Sequence, residues 1–143
     1  MLFFDGFKTF LQSLLTENAK ELVYWREALN ASLYNSGKLI INQLPELELI
    51  IGPQPDVPLL DSSVSQNRFR KVFIEFINTF SNPKHPLVLF LDDIQWADIE
   101  SIQLIDSYFN DQTHKNLLLI AAYRDNELEE KSVLEKYITK SKK

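Results

Sequence analysis

Cysteine is absent from the 143 residues. That excludes disulfides, a thiol nucleophile and cysteine-ligated metal. Histidine is almost as scarce, and His85 and His114 are too isolated to suggest a zinc centre. Glycine occurs only at positions 6, 37 and 52. A phosphate-cradling loop of the form G-x-x-x-x-G-K-[ST] uses glycines to bring backbone N–H groups against phosphate and a lysine to neutralise it. Gly37-Lys38 is the one place to look. It fails there, because Ser32 stands where the first glycine belongs and Leu39 where a hydroxyl residue belongs. The pair reads instead as the start of a short helix.

Positive charge is also short. With 15 Lys and Arg against 20 Asp and Glu, the net charge of −5 gives no general attraction to nucleic acid or to an anionic membrane. Lys140, Lys142 and Lys143 read as a solvated tail. No long apolar run exists: Met1 to Leu15 is interrupted by Asp5 and Lys8 and has no basic leader, so it fits neither a signal peptide nor a membrane span. These absences are compatible with a reducing cytoplasm, and a cytoplasmic location is the expectation.

What is present is a chain of 45% apolar and 24% charged residues, the size and composition of one domain that buries a core. Phe3, Phe4, Phe7, Phe10, Leu11, Leu14 and Leu15 fall at helical spacing. Thr16 is placed to cap a second helix from Glu17 to about Leu33, with Leu22, Arg26, Leu29 and Leu33 on one face beside Trp25. Lys38 to Leu44 suits a short helix ended by Pro45, while Leu47, Leu49 and Ile51 alternate like a strand. Pro53, Pro55 and Pro58 mark residues 52–65 as a surface loop. From Gln66, the apolar set Phe69, Val72, Phe73, Phe76, Ile77 and Phe80 gives the clearest amphipathic helix, ended at Asn82-Pro83. Arg68, Arg70 and Lys71 near its start are placed either to approach a nucleotide or to solvate a helix face.

Leu87 to Leu91, reading LVLFL, is a five-residue apolar run. Periodicity alone allows a buried helix turn, but Pro83 and Pro86 favour a strand buried on both faces. It stops at Asp92 and Asp93. Carboxylates at the carboxyl end of a parallel strand stand where open α/β sheets place ligands; a pair of acids also simply solvates the turn that ends a strand. Asp98 precedes Ile99-Glu100-Ser101 as a helix N-cap, and Trp96 suits packing. Ile99, Ile102, Ile105, Tyr108 and Phe109 mark the helix that follows. Leu117 to Tyr123 reads as a second buried strand, so strand, helix and strand form one βαβ unit of a parallel sheet. Its end brings Arg124 to the edge that carries Asp92 and Asp93, where an ion pair with Asp93 or Asp125 is one reading. Val133, Leu134, Tyr137 and Ile138 predict a last helix over residues 127–143.

The run from Asp92 to Asp98, DDIQWAD, resembles the Walker B region of AAA-like P-loop ATPases of the signal-transduction (STAND) class, in which an apolar strand runs into two acids and then QWAD. The resemblance extends to LPELELIIGPQPDVP (44–58), SQNRFRKVFIEFI (65–77), HPLVLFLDDIQWAD (85–98) and LLLIAAYRDNE (117–127). These look like consecutive pieces of the ATPase region of large bacterial kinases that join a serine/threonine kinase domain to a sensor histidine kinase. The resemblance implies a partial α/β P-loop NTPase fold, with ATP and Mg²⁺ as cofactors. It implies Asp92 as the metal ligand, Asp93 as the acid that polarises the attacking water, and Arg124 as the sensor 1 residue on the terminal phosphate. Signalling kinase domains, attached or separate, are the implied partners.

The resemblance also implies an internal piece of that region over residues 1–143, with the Walker A strand and loop before Met1 and the last sheet strand after Lys143. Two carboxylates without the loop's lysine and N–H groups hold nucleotide poorly. The apolar edge of the Leu117 to Tyr123 strand is then expected to be unpaired, and the chain alone marginal or prone to aggregate. Two alternatives stand beside an ATPase module. One is a nucleotide-independent interaction module or inactive remnant of a signalling kinase. The other is a receiver-like phospho-acceptor domain, which calls for a further Asp at a strand end where this chain has Tyr123-Arg124.

Overall fold

The computed structural model describes residues 2–58, 61–110, 116–124 and 126. The helix expected over residues 127–143 lies outside them. Four helices come first: α1 (Leu2–Leu14), α2 (Ala19–Leu33), α3 (Gly37–Ile41) and α4 (Glu46–Ile51). The long α5 (Ser62–Phe80) leads into β1 (Leu87–Leu91), α6 (Ile99–Asn110) and β2 (Leu117–Ala121). This is the expected α/β class, helices plus one βαβ unit with its strands paired in parallel.

The core is built by stripes that the spacing predicts. Phe4, Phe7, Leu11 and Leu14 of α1 are buried together with Trp25, Leu29 and Leu33 of α2. From α5 they meet Phe73, Ile74, Phe76, Ile77 and Phe80. The aromatic rings interlock edge to face: Phe4 on Phe73 at 5.5 Å, Phe10 on Phe80 at 5.0 Å and Phe76 on Phe80 at 5.2 Å between centroids. His85 is exposed and covers the outer edge of this cluster, its ring 5.2 Å from that of Trp25.

Three local expectations are corrected. The cap of α2 is Asn18, whose Oδ1 accepts from the N–H groups of Lys20 and Glu21. Thr16 instead donates its hydroxyl back to Ser13 O at 2.7 Å and closes the end of α1. Residues 47–51 are helical, not extended. ELELII fits both periods, and Pro45 at the entry with Glu46 and Glu48 in the first turn favours the helix. It buries Leu47, Ile50 and Ile51 and leaves Leu49 outside. The helix α5 begins at Ser62, a turn earlier than the apolar spacing indicates, because its first turn carries no core residue.

The carbonyl end of α4 is closed from outside. Arg26 Nε donates to Ile50 O at 2.7 Å, and Asn30 Nδ2 donates to Ile51 O at 3.3 Å. Both side chains come from α2, so the pair satisfies acceptors that a helix end leaves open. Gly52 then turns the chain at φ +79°, a conformation that a side chain would strain.

The sheet has one covered and one open face. Leu87, Leu89 and Leu91 alternate inward with Leu117 and Leu119 onto the helical core. Val88 and Phe90, paired in register with Leu118 and Ile120, point the other way and are 59% and 62% exposed. The expected burial of β1 on both faces is therefore not found. A run without polar residues signals that both faces are apolar, and only one of them is covered among the described residues. None of the described helices is long and apolar enough to cross a membrane.

Candidate functional site

The site begins where the two strands end. Ala122 donates its N–H to Leu91 O at 2.8 Å, and Ile94 donates to Ala122 O at 3.1 Å. The segment after β1 is thus hooked around the segment after β2. Between the two bonds Asp93 takes the left-handed conformation, φ 52° and ψ 41°, which reverses the chain into a tight turn over Ile94–Trp96. Aspartate tolerates that region better than most side chains, because its short polar group bonds locally.

Asp92 and Asp93 are brought to this edge with distinct surroundings. Asp92 is exposed, and its Oδ1 accepts from the N–H of Asp93 at 2.9 Å. Asp93 is half-buried, and one oxygen, Oδ1, accepts from Gln95 Nε2 at 3.0 Å and pairs with Arg124 Nε at 3.1 Å. Gln95 also accepts from the backbone N–H of Arg124 through Oε1 at 3.3 Å. Its amide therefore bridges the acid of one strand end and the arginine segment of the other. With Asp93 and Arg124 at 39% and 59% side-chain exposure, water screens this ion pair and limits its worth to about 1 kcal/mol or less.

All three residues singled out in the sequence, Asp92, Asp93 and Arg124, thus meet at one sheet edge. Gln95 was visible in the sequence only as a letter of the DDIQWAD run. Its bridging role depends on the hooked strand ends, which no local pattern reveals. Asp98 caps α6, its Oδ1 accepting from the N–H of Ser101 at 2.7 Å. Trp96 is corrected: it is 73% exposed and does not pack into the core. Lys38 belongs to α3, where it lies 3.9 Å from Glu48. Arg70 donates from Nη2 to Gln103 Oε1 on α6 at 2.8 Å.

Among the described residues no group of three or more His, Cys, Asp and Glu gathers as a metal site. Mg²⁺ bound with a nucleotide needs less, since one or two carboxylates together with phosphate oxygens suffice. An exposed carboxylate at a strand end, Asp92, beside a second acid is a donor set of that kind.

Parallel strands that deliver two carboxylates and an arginine to their carboxyl edge place them where open α/β sheets bind ligands. The family model of the AAA ATPase domain matches residues 2–120, and the chain belongs to that family. It is also similar to a hybrid signal transduction histidine kinase G of Dictyostelium discoideum, 40% identical over 92 residues. That match covers 64% of this chain and 3% of the much longer kinase. No solved structure matches the chain.

Proposed function

We propose that the chain carries the metal- and water-handling half of the ATP site of a signalling ATPase module. The observation that carries this reading is the gathering of Asp92, Asp93 and Arg124 at one sheet edge. Asp92 would hold the Mg²⁺ of a bound nucleotide. Asp93 would orient and polarise the attacking water, and Arg124 would contact the terminal phosphate. The metal supplies charge neutralisation of the phosphate oxygens when it is bound. Gln95 holds the acid and the arginine in register. The similarity to a histidine kinase supports a place beside kinase domains, where nucleotide turnover would switch their arrangement.

The phosphate cradle is the complementary half. The three glycines of the chain do not make one, so the reading requires that a loop from outside these 143 residues supply it. Calorimetry of Mg²⁺-ATP tests this, with the chain as it stands and with a longer chain carrying an upstream phosphate-binding loop. The expected result is binding only by the longer chain, abolished by Asp92→Asn. Tight Asp92-dependent binding by the 143 residues alone would overturn the two-half arrangement. Binding by the longer chain that is indifferent to Asp92→Asn would overturn the metal role.

A second reading, a nucleotide-independent interaction module, rests on the open apolar face of Val88, Phe90, Leu118 and Ile120. Failure of every nucleotide arm of the calorimetry would favour it.

A further inference from the structure

On another part of the molecule, three helices enclose a cleft of about 290 Å³. Leu39 comes from α3, Phe69 and Arg70 from α5, and Glu100, Gln103 and Leu104 from α6. The volume stands at the lower end of what small-molecule sites occupy. Its apolar side is preformed. Phe69 stacks on Phe73 with centroids 6.0 Å apart and meets the edge of Phe4 at 6.4 Å, so its ring is held by the core. Leu104 is buried beneath the cleft.

The polar side carries one fixed cation. Arg70 Nη2 donates to the neutral amide oxygen of Gln103 at 2.8 Å, and no carboxylate pairs with Arg70 among the described residues. The guanidinium has five N–H donors in a fixed fork, of which this bond occupies one. Its position is therefore set while its charge is not neutralised. Glu100 stands on α6 three residues before Gln103, on the same helix face, and places one negative charge on the lining.

From this arrangement we infer that the cleft binds a small organic monoanion: a carboxylate on an aryl or branched alkyl body. The carboxylate takes the planar fork of Arg70, which matches it in geometry. The apolar body covers Phe69, Leu39 and Leu104. Glu100 repels each further negative charge on a ligand while the one arginine pairs with a single anionic group, so nucleoside polyphosphates bind there less tightly than a monoanion. The inference does not rest on the acids at the sheet edge.

The test is a titration of the full 143-residue chain followed by amide NMR shifts. The probes are 3-phenylpropionate, its neutral partner 3-phenylpropionamide, and ATP. The acid is expected to shift residues 39–43, 65–70 and 100–104 saturably and to bind about tenfold more tightly than the amide, the worth of one charge-assisted contact. Arg70→Gln and Gln103→Glu should each remove that difference. The second variant keeps the arginine and the tie between α5 and α6 and gives the guanidinium an internal carboxylate, so it answers even if Arg70→Gln does not fold. Equal binding of acid and amide, no saturable shift at these residues, an acid preference that survives Gln103→Glu, or tighter binding of ATP than of the acid in this cleft would each overturn the assignment.

Discussion

Arg124 Nε lies 3.1 Å from Asp93 Oδ1, so the cation that follows β2 is held by the second of the two acids that follow β1. In the proposed ATP site these two residues serve different atoms, Asp93 the water and Arg124 the phosphate. Their ion pair positions both before nucleotide arrives. It also means that phosphate must compete with a carboxylate for the guanidinium. The competition is mild, because the pair is half in water.

Asp93→Asn separates these effects. Asparagine tolerates the left-handed backbone at position 93 and keeps an oxygen for Gln95, but it removes the negative charge that pairs with Arg124 and the basicity offered to water. In the longer chain with a phosphate-binding loop, ATP binding should be retained, whereas steady-state phosphate release should fall about a hundredfold or more, the usual worth of a positioned base. Release at the unchanged rate would remove Asp93 from the water-handling role.

The N-terminal end of α6 has two residues whose truncation should act with opposite sign. Asp98 Oδ1 caps the N–H of Ser101, so Asp98→Ala should cost about 1 kcal/mol. The hydroxyl of Ser101 is buried with no hydrogen-bond partner among the described residues. Ser101→Ala removes a desolvated polar group without opening a sizeable cavity and should stabilise by about 1 kcal/mol. Urea unfolding followed by far-UV circular dichroism measures both. A loss on Ser101→Ala would mean that the hydroxyl has a partner that matters.

Much of this arrangement was legible in the sequence where side-chain period and burial coincide. Phe73, Phe76, Ile77 and Phe80 repeat at three and four residues, and that stripe is the core face of α5. Asp92, Asp93 and Arg124 were legible because β1 and β2 both end abruptly, and parallel strands put their ends at one edge. The misreadings have equally local causes. ELELII satisfies both the strand and the helix period, so only its entry at Pro45 and its closure by Arg26, twenty-four residues away, decide the outcome. Thr16 and Asn18 are both good caps, and the choice depends on where α1 ends. The exposure of Trp96 and of one sheet face is a tertiary property. An apolar residue shows what it would gain by burial, not whether a neighbour covers it.

Tyr34 joins α2 to the short turn before α3 at φ 44° and ψ −127°, a backbone region that residues other than glycine rarely occupy. Such strain costs on the order of 1–3 kcal/mol. The ring is 74% exposed and returns little of it. Tyr34→Gly should therefore stabilise the fold by about 1 kcal/mol even after glycine's greater freedom in the unfolded chain is subtracted. The check is a rise in the urea midpoint at unchanged slope. A fall in the midpoint would show that the tyrosine ring contributes packing beyond its exposed area.

The last prediction concerns the open face of the sheet. Val88 and Phe90 of β1 and Leu118 and Ile120 of β2 form two registered cross-strand pairs with no polar residue between them. A two-stranded sheet is marginal by itself, and among the described residues this one is supported by the helical core on its inner face only. An exposed apolar strip of this kind favours association, because each copy removes apolar surface of another from water. The 143-residue chain should therefore self-associate as its concentration rises. Phe90→Lys places a charge in the middle of the strip, as edge strands commonly do to prevent pairing. Since Phe90 is largely in water already, the substitution should change unfolding stability by about 0.5 kcal/mol or less. Sedimentation velocity across a range of concentrations is the measurement. A shift toward monomer at unchanged stability locates the contact on this face. Association that persists undiminished in Phe90→Lys would move it elsewhere, with exposed Trp96 and Ile99 beyond the strand end as the next residues to charge.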